Sequence, residues 1–110
     1  MEEEKEEKEY KIEDVELNAN NKEFMLKALE DGAPWALAYA SDKLLEDRDL
    51  ILKAVKKDGQ ILYYASKELR DDKEVVLAAV TNKGLILKYA SRRLREDKEI
   101  GLAAIKQDKR

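Results

Sequence analysis

The tripeptide Tyr-Ala-Ser occurs three times, as Tyr39-Ala40-Ser41, Tyr64-Ala65-Ser66 and Tyr89-Ala90-Ser91, at a constant spacing of 25 residues. A fixed period of this length marks a tandem structural repeat, in which one small unit recurs and buries its apolar face against its neighbours. Alignment on the tripeptide gives units at 21–46, 47–71 and 72–96 and a half-unit at 97–110, the first being one residue longer at its turn. A chain of 110 residues so built makes one domain. The expected fold is all-α: helix-turn-helix repeats of about 25 residues, stacked as a small α-solenoid.

The columns of the alignment say how each unit begins. Asn21, Asp47, Asp72 and Asp97 stand just ahead of an apolar run, where an Asx side chain caps free backbone N–H groups. Acids follow two residues later (Glu23, Asp49, Glu74, Glu99) and suit the positive end of a helix. Leu26, Leu52, Leu77 and Leu102 share one column, and Ala28, Ala54, Ala79 and Ala104 another. In the third unit Val75, Val76, Leu77, Ala79 and Val80 cover an arc too wide for a helix with a single neighbour, as stacking on two sides requires. Gly32, Gly59 and Gly84 follow this helix, where glycine takes a left-handed conformation cheaply. A second helix of nine or ten residues is expected to carry Leu37, Leu62 or Leu87, then Tyr-Ala-Ser, then Leu44, Leu69 or Leu94. On it the serine would bond back to the carbonyl four residues earlier. Residues 1–20 read as an acidic leader and N-terminal capping helix, although the near-alternation of Tyr10, Ile12, Val15 and Leu17 also fits an extended segment.

Composition removes several function classes. The chain has no His and no Cys, so the commonest general base, the commonest metal ligand, thiol catalysis and disulfides are all excluded. Charged residues reach 43%, which fits a solvated helical surface laced with ion pairs. Residues 1–20 carry a net charge of −6 and the rest +3, read as an acidic solubilising leader. No apolar run is long enough to span a bilayer and the start is acidic, so no membrane partner is expected and a soluble, cytoplasmic protein is.

The run Asp72 to Val80, then Gly84, Leu87, Tyr89-Ala90-Ser91 and Leu94 to Asp97, resembles the repeat family catalogued as a domain of unknown function, number 4116. The residues from Asp47 onward match it nearly as well, and the likeness covers roughly residues 21–108. The resemblance implies an all-helical tandem repeat and no catalytic residues. The first copy departs from the pattern at Asp31-Gly32-Ala33-Pro34-Trp35. The Glu/Lys leader, the lack of His and Cys and the charge density also fit an engineered or idealised member whose only function is to fold.

Candidate sites are few. Asp71-Asp72 and Glu96-Asp97 recur at helix starts, where capping accounts for them better than catalysis or metal binding. Ser41, Ser66 and Ser91 lack a histidine to activate them. Trp35, Tyr39, Tyr64 and Tyr89, joined by Tyr63, are residue types favoured as interaction anchors. The aligned tyrosines read first as core-flanking rings and second as a ladder facing a partner, and Trp35 is either a core cap or an exposed anchor. Lys88, Arg92, Arg93 and Arg95 form a basic patch beside Tyr89, suited to nucleic acid but set among acids in a chain of pI about 5.2. The expectation is a non-enzymatic scaffold or protein-interaction module with no cofactor. Nucleic-acid binding through the basic C-terminal face is the alternative. Self-association through the C-terminal half-repeat is expected because its helix has no successor to cover it.

Overall fold

The computed structural model describes residues 9–107, and among them every regular element is helical. The α-helices are α1 (Ile12–Leu17), α2 (Lys22–Glu30), α3 (Asp42–Leu45), α4 (Arg48–Lys57), α5 (Lys73–Asn82), α6 (Arg92–Arg95) and α7 (Lys98–Gln107). Between them lie 3-10 helices η1 (Pro34–Tyr39), η2 (Gly59–Tyr64), η3 (Leu69–Asp71) and η4 (Gly84–Tyr89). No helix among the described residues is long and apolar enough to cross a membrane.

Helices α2, α4, α5 and α7 start as the Asx column requires. Asn21 accepts from the Phe24 N–H (3.0 Å), Asp47 from Leu50 (3.0 Å), Asp72 from Val75 (3.2 Å) and Asp97 from Ile100 (3.1 Å). Each bond satisfies one of the four N–H groups that a helix start leaves free, and is worth about 1 kcal/mol. Helix α5 packs on both α4 and α7, and it also meets η2, η3 and η4. Its wide apolar arc is thereby used: Val75, Val76, Ala79 and Val80 are all fully buried.

The second half of each unit differs from the expected continuous helix. The chain winds as a 3-10 helix up to the tyrosine, then breaks. Ala40, Ala65 and Ala90 are extended, with ψ of 154°, 159° and 165°. The serine starts a fresh turn: Ser41, Ser66 and Ser91 accept through Oγ from the N–H of Leu44, Leu69 and Leu94 at 3.2–3.4 Å. The break has a physical reason. The serine N–H is used across the molecule, donating to the carbonyls of Ala19 (2.8 Å), Leu45 (3.1 Å) and Arg70 (2.9 Å). An uninterrupted helix would bind that N–H internally and lose all three links. The serine hydroxyl also departs from expectation: Ser41 donates to Asn20 Oδ1 (2.8 Å) and Ser91 to Asp71 Oδ1 (2.6 Å), instead of bonding back along its own helix.

The glycines require a second correction. Only Gly32 has a positive φ, 82°, and it closes α2 with Ala33 N–H bonded to Ala28 O (2.8 Å) and Gly32 N–H to Leu29 O (3.2 Å). Gly59 and Gly84 are glycine because another helix end is too close. A Cβ on Gly59 would stand 2.4 Å from the carbonyl oxygen of Ala79, and one on Gly84 2.5 Å from that of Ala104. The end of α5 thus presses on the start of η2, and the end of α7 on the start of η4.

Ion pairs recur from one unit to the next. Lys22 reaches Asp47 (3.0 Å) and Asp49 (3.7 Å), Arg48 reaches Asp72 (2.7 Å) and Glu74 (2.6 Å), and Lys73 reaches Asp97 (3.2 Å) and Glu99 (2.9 Å). The first residue of one helix therefore neutralises the capping acid and the first-turn acid of the next. At the N-terminal end Tyr10 lies edge-on to Phe24 (5.7 Å between centroids), and its hydroxyl donates to Asp31 at the end of α2.

Candidate functional site

Trp35, Tyr39, Tyr63, Tyr64 and Tyr89 gather on η1, η2 and η4, which lie side by side, η2 touching both of the others. In a 3-10 helix residues i and i+3 eclipse, so one row of the helix faces out while the neighbouring row faces in. Ala36 and Leu37 on η1 are buried, as are Ile61 and Leu62 on η2 and Ile86 on η4. The outer row carries Trp35 and Ala38, then Gln60 and Tyr63, then Leu85 and Lys88. Trp35 is 41% exposed, Tyr63 50% and Leu85 69%, which are high values for such large apolar groups.

These rings touch within and between units. Trp35 meets Tyr39 edge-on at 6.0 Å, Tyr63 meets Tyr64 at 5.1 Å, and Tyr63 meets Tyr89 of the following 3-10 helix at 4.8 Å. The Lys88 ammonium stands 5.3 Å from the Tyr89 ring centroid, within cation–π range. Tyr64 and Tyr89 are half-buried against the core, whereas Tyr39 is 37% exposed. Trp35 is 41% exposed and has the Tyr39 ring as a neighbour. Tyr64 and Tyr89 thus flank the core, and the exposed part of the surface comes from Trp35, Tyr39, Tyr63 and Leu85. Leu85 escaped the sequence reading because its column holds Trp35, Gln60 and Leu85, which share no chemistry. Only the 3-10 winding puts that column outside.

The four basic residues have different neighbours. Arg93 is tied to Asp71, with Nη2 at 3.0 Å from Oδ1 and 2.8 Å from the main-chain oxygen, and Arg92 pairs with Glu96 at 3.5 Å. Lys88 sits on the aromatic row instead. Arg95, at the end of α6, is exposed.

The acidic pairs are separated by their partners. The Ser91 hydroxyl, with Arg93, holds the Asp71 carboxyl below the usual range, and the Arg48 guanidinium does the same for Asp72. Two carboxyls sharing a proton would instead raise one of the two. Both are ionised, and each faces a different partner. Among the described residues no three His, Cys, Asp or Glu side chains converge as metal ligands.

The fold and this surface define a class: an all-helical protein in which a capped helix and a 3-10 helix recur along the chain and expose Trp35, Tyr63 and Leu85 on one row. The family model for Domain of unknown function (DUF4116) matches residues 20–70 and 72–110, and the chain belongs to that family. Comparison with curated proteins and with solved structures returned no match.

Proposed function

We propose that the chain is a non-enzymatic α-solenoid scaffold, with units 21–46, 47–71, 72–96 and 97–110, that binds a protein partner through the aromatic row of η1, η2 and η4. The observation that carries this reading is the Tyr63–Tyr89 contact at 4.8 Å, which joins the exposed Tyr63 ring to the half-buried ring of the following 3-10 helix. The packing of α5 between α4 and α7 supports the solenoid, as does the repeated serine N–H link. Rigid Trp and Tyr side chains lose little entropy on binding and serve as anchors, and helical repeats present extended surfaces of this kind. The absence of His and Cys supports a non-enzymatic role. Nucleic acid is the weaker alternative, because Arg92 and Arg93 are already paired with acids.

The test is a peptide-display selection run in parallel on the wild type and on a Trp35→Ser, Tyr39→Ser, Tyr63→Ser variant with unchanged helical circular dichroism. Peptides enriched on the wild type should lose at least tenfold in affinity on the variant. Equal enrichment on both would overturn the aromatic row as the binding surface. Binding of labelled single strands at 50 mM salt that weakens steeply as salt is raised would favour the alternative.

A further inference from the structure

Helix α7 presents a face that its counterparts bury. Met25, Ile51 and Val76 are wholly buried, as are Leu29, Val55 and Val80 or nearly so. At the same two positions α7 carries Gly101 and Ile105, the latter 68% exposed, with Leu102 beside them 63% exposed. Gly101 sits inside a helix, where glycine is a poor choice, and nothing lies within 4 Å of where its Cβ would stand. Gly59 and Gly84 are each explained by a carbonyl pressed against them; Gly101 has no such contact among the described residues. A glycine flanked by two exposed branched side chains is a notch that admits another helix.

Independently of the aromatic row, we propose that α7 is a self-association surface on which a second copy of this chain docks its own α7, antiparallel, about a two-fold axis. The pairing is self-complementary, as a two-fold contact must be. With the helices antiparallel, Ile105 of each copy fits over Gly101 of the other, and Leu102 of both lies near the axis. The ends also match in charge. Glu99 in the first turn of one copy comes beside Lys106 in the last turn of the other, and this happens twice. Glu99 already accepts from Lys73 (2.9 Å), and a carboxylate has acceptor sites for both amines. A head-to-tail arrangement is disfavoured because the opposite end is closed, with Tyr10 covering Phe24 and bonded to Asp31.

Sedimentation equilibrium over a concentration series tests the proposal. The 12.7 kDa chain should pass to a species of twice that mass and stop there. Since one helix face buries less than a standard interface, the dissociation constant should be on the order of 100 µM. Gly101→Met fills the notch and should weaken dimerisation at least tenfold while keeping or raising helix content. The chain has no cysteine, so Leu102→Cys places a single thiol near the axis and should give a disulfide-linked dimer on mild oxidation. A monomer at millimolar concentration would overturn the proposal. So would growth beyond the dimer, which signals head-to-tail stacking, or dimerisation indifferent to Gly101→Met.

Discussion

At the scale of single residues, the aspartates that open the helices do two jobs, and both depend on charge. The Arg48 guanidinium, helped by the Val75 N–H, lowers the Asp72 carboxyl, and the Ile100 N–H, helped by Lys73, lowers that of Asp97. Burial pushes Asp47 the other way, but the Leu50 N–H and Lys22 outweigh it and the net direction is also down. A lowered folded-state value means that the folded chain holds fewer protons than the unfolded one as pH falls. The stabilisation is therefore complete above the ordinary value of 3.8 and is lost as pH drops through the folded values. The urea midpoint is expected to stay level from pH 7 to 5 and to fall below about pH 4. Asp72→Asn keeps a capping oxygen but removes the titration, so it should cost about 0.5–1 kcal/mol at pH 7 and flatten the acid limb. An acid limb identical to the wild type would show that Asp72 contributes only its cap. At the alkaline end the sign reverses. Partial burial and the bond to Asp31 push the Tyr10 hydroxyl up to about 12, so its contribution is intact below pH 10 and disappears between 10 and 12. Tyr10→Phe should remove that part of the alkaline loss.

At the scale of elements, glycines of two kinds do different work, and substitution separates them. Gly59→Ala drives a Cβ to 2.4 Å from the Ala79 carbonyl, a backbone atom that moves only with the whole end of α5. It should cost about 1–3 kcal/mol, which lowers Tm by roughly 5–15 °C in thermal unfolding. Gly32→Ala meets no atom and incurs only its φ of 82°, about 1 kcal/mol. Equal losses at the two sites would mean that the approach of α5 to η2 is not tight in solution. The sequence marked all these glycines as turn residues because only the local signal is visible in one chain. A close approach by a carbonyl twenty residues away leaves no trace beside the glycine itself. The same limit governs Tyr-Ala-Ser. Its apolar spacing fits a continuous helix as well as a 3-10 helix that stops, and what decides is the serine N–H bond to Ala19, Leu45 or Arg70. The starts of α2, α4, α5 and α7 were legible because their signal is local: an Asx side chain three residues before the N–H it receives. Of the candidate site, the aromatic residue types were legible and their exposure was not, since the winding of η1, η2 and η4 decides which row faces out.

At the scale of the whole molecule, the radius of gyration is 15.0 Å and the extents are 49 × 37 × 18 Å. A closely packed chain of this length would have a radius of ~13 Å, and 18 Å is less than two helix diameters of about 10–12 Å, so the molecule is a thin slab. The buried side chains form one core cluster along the slab, from Val15 to Ala104. Among the described residues α5 lies between α4 and α7, while α7 packs against α5, α6 and η4. On the proposed stacking of units, stability is close to a sum of unit terms and nearest-neighbour terms, so the ends open at lower free energy than the middle. Native-state hydrogen exchange in dilute solution should therefore grade along the chain, slowest in α4 and α5 and faster in α1 and α7. The gap between α5 and α7 should be about 1–3 kcal/mol, roughly the loss of one helix-on-helix interface. Uniform protection from α2 to α7 would mean that the chain opens as one unit, and the additive picture would fail. Concentration separates the end effect from the dimer. If two copies meet through α7, its amides should slow as protein concentration passes the dimer midpoint, while those of α1 stay unchanged. The gradient in dilute solution belongs to the fold, and its one-sided loss on concentration belongs to the contact between copies.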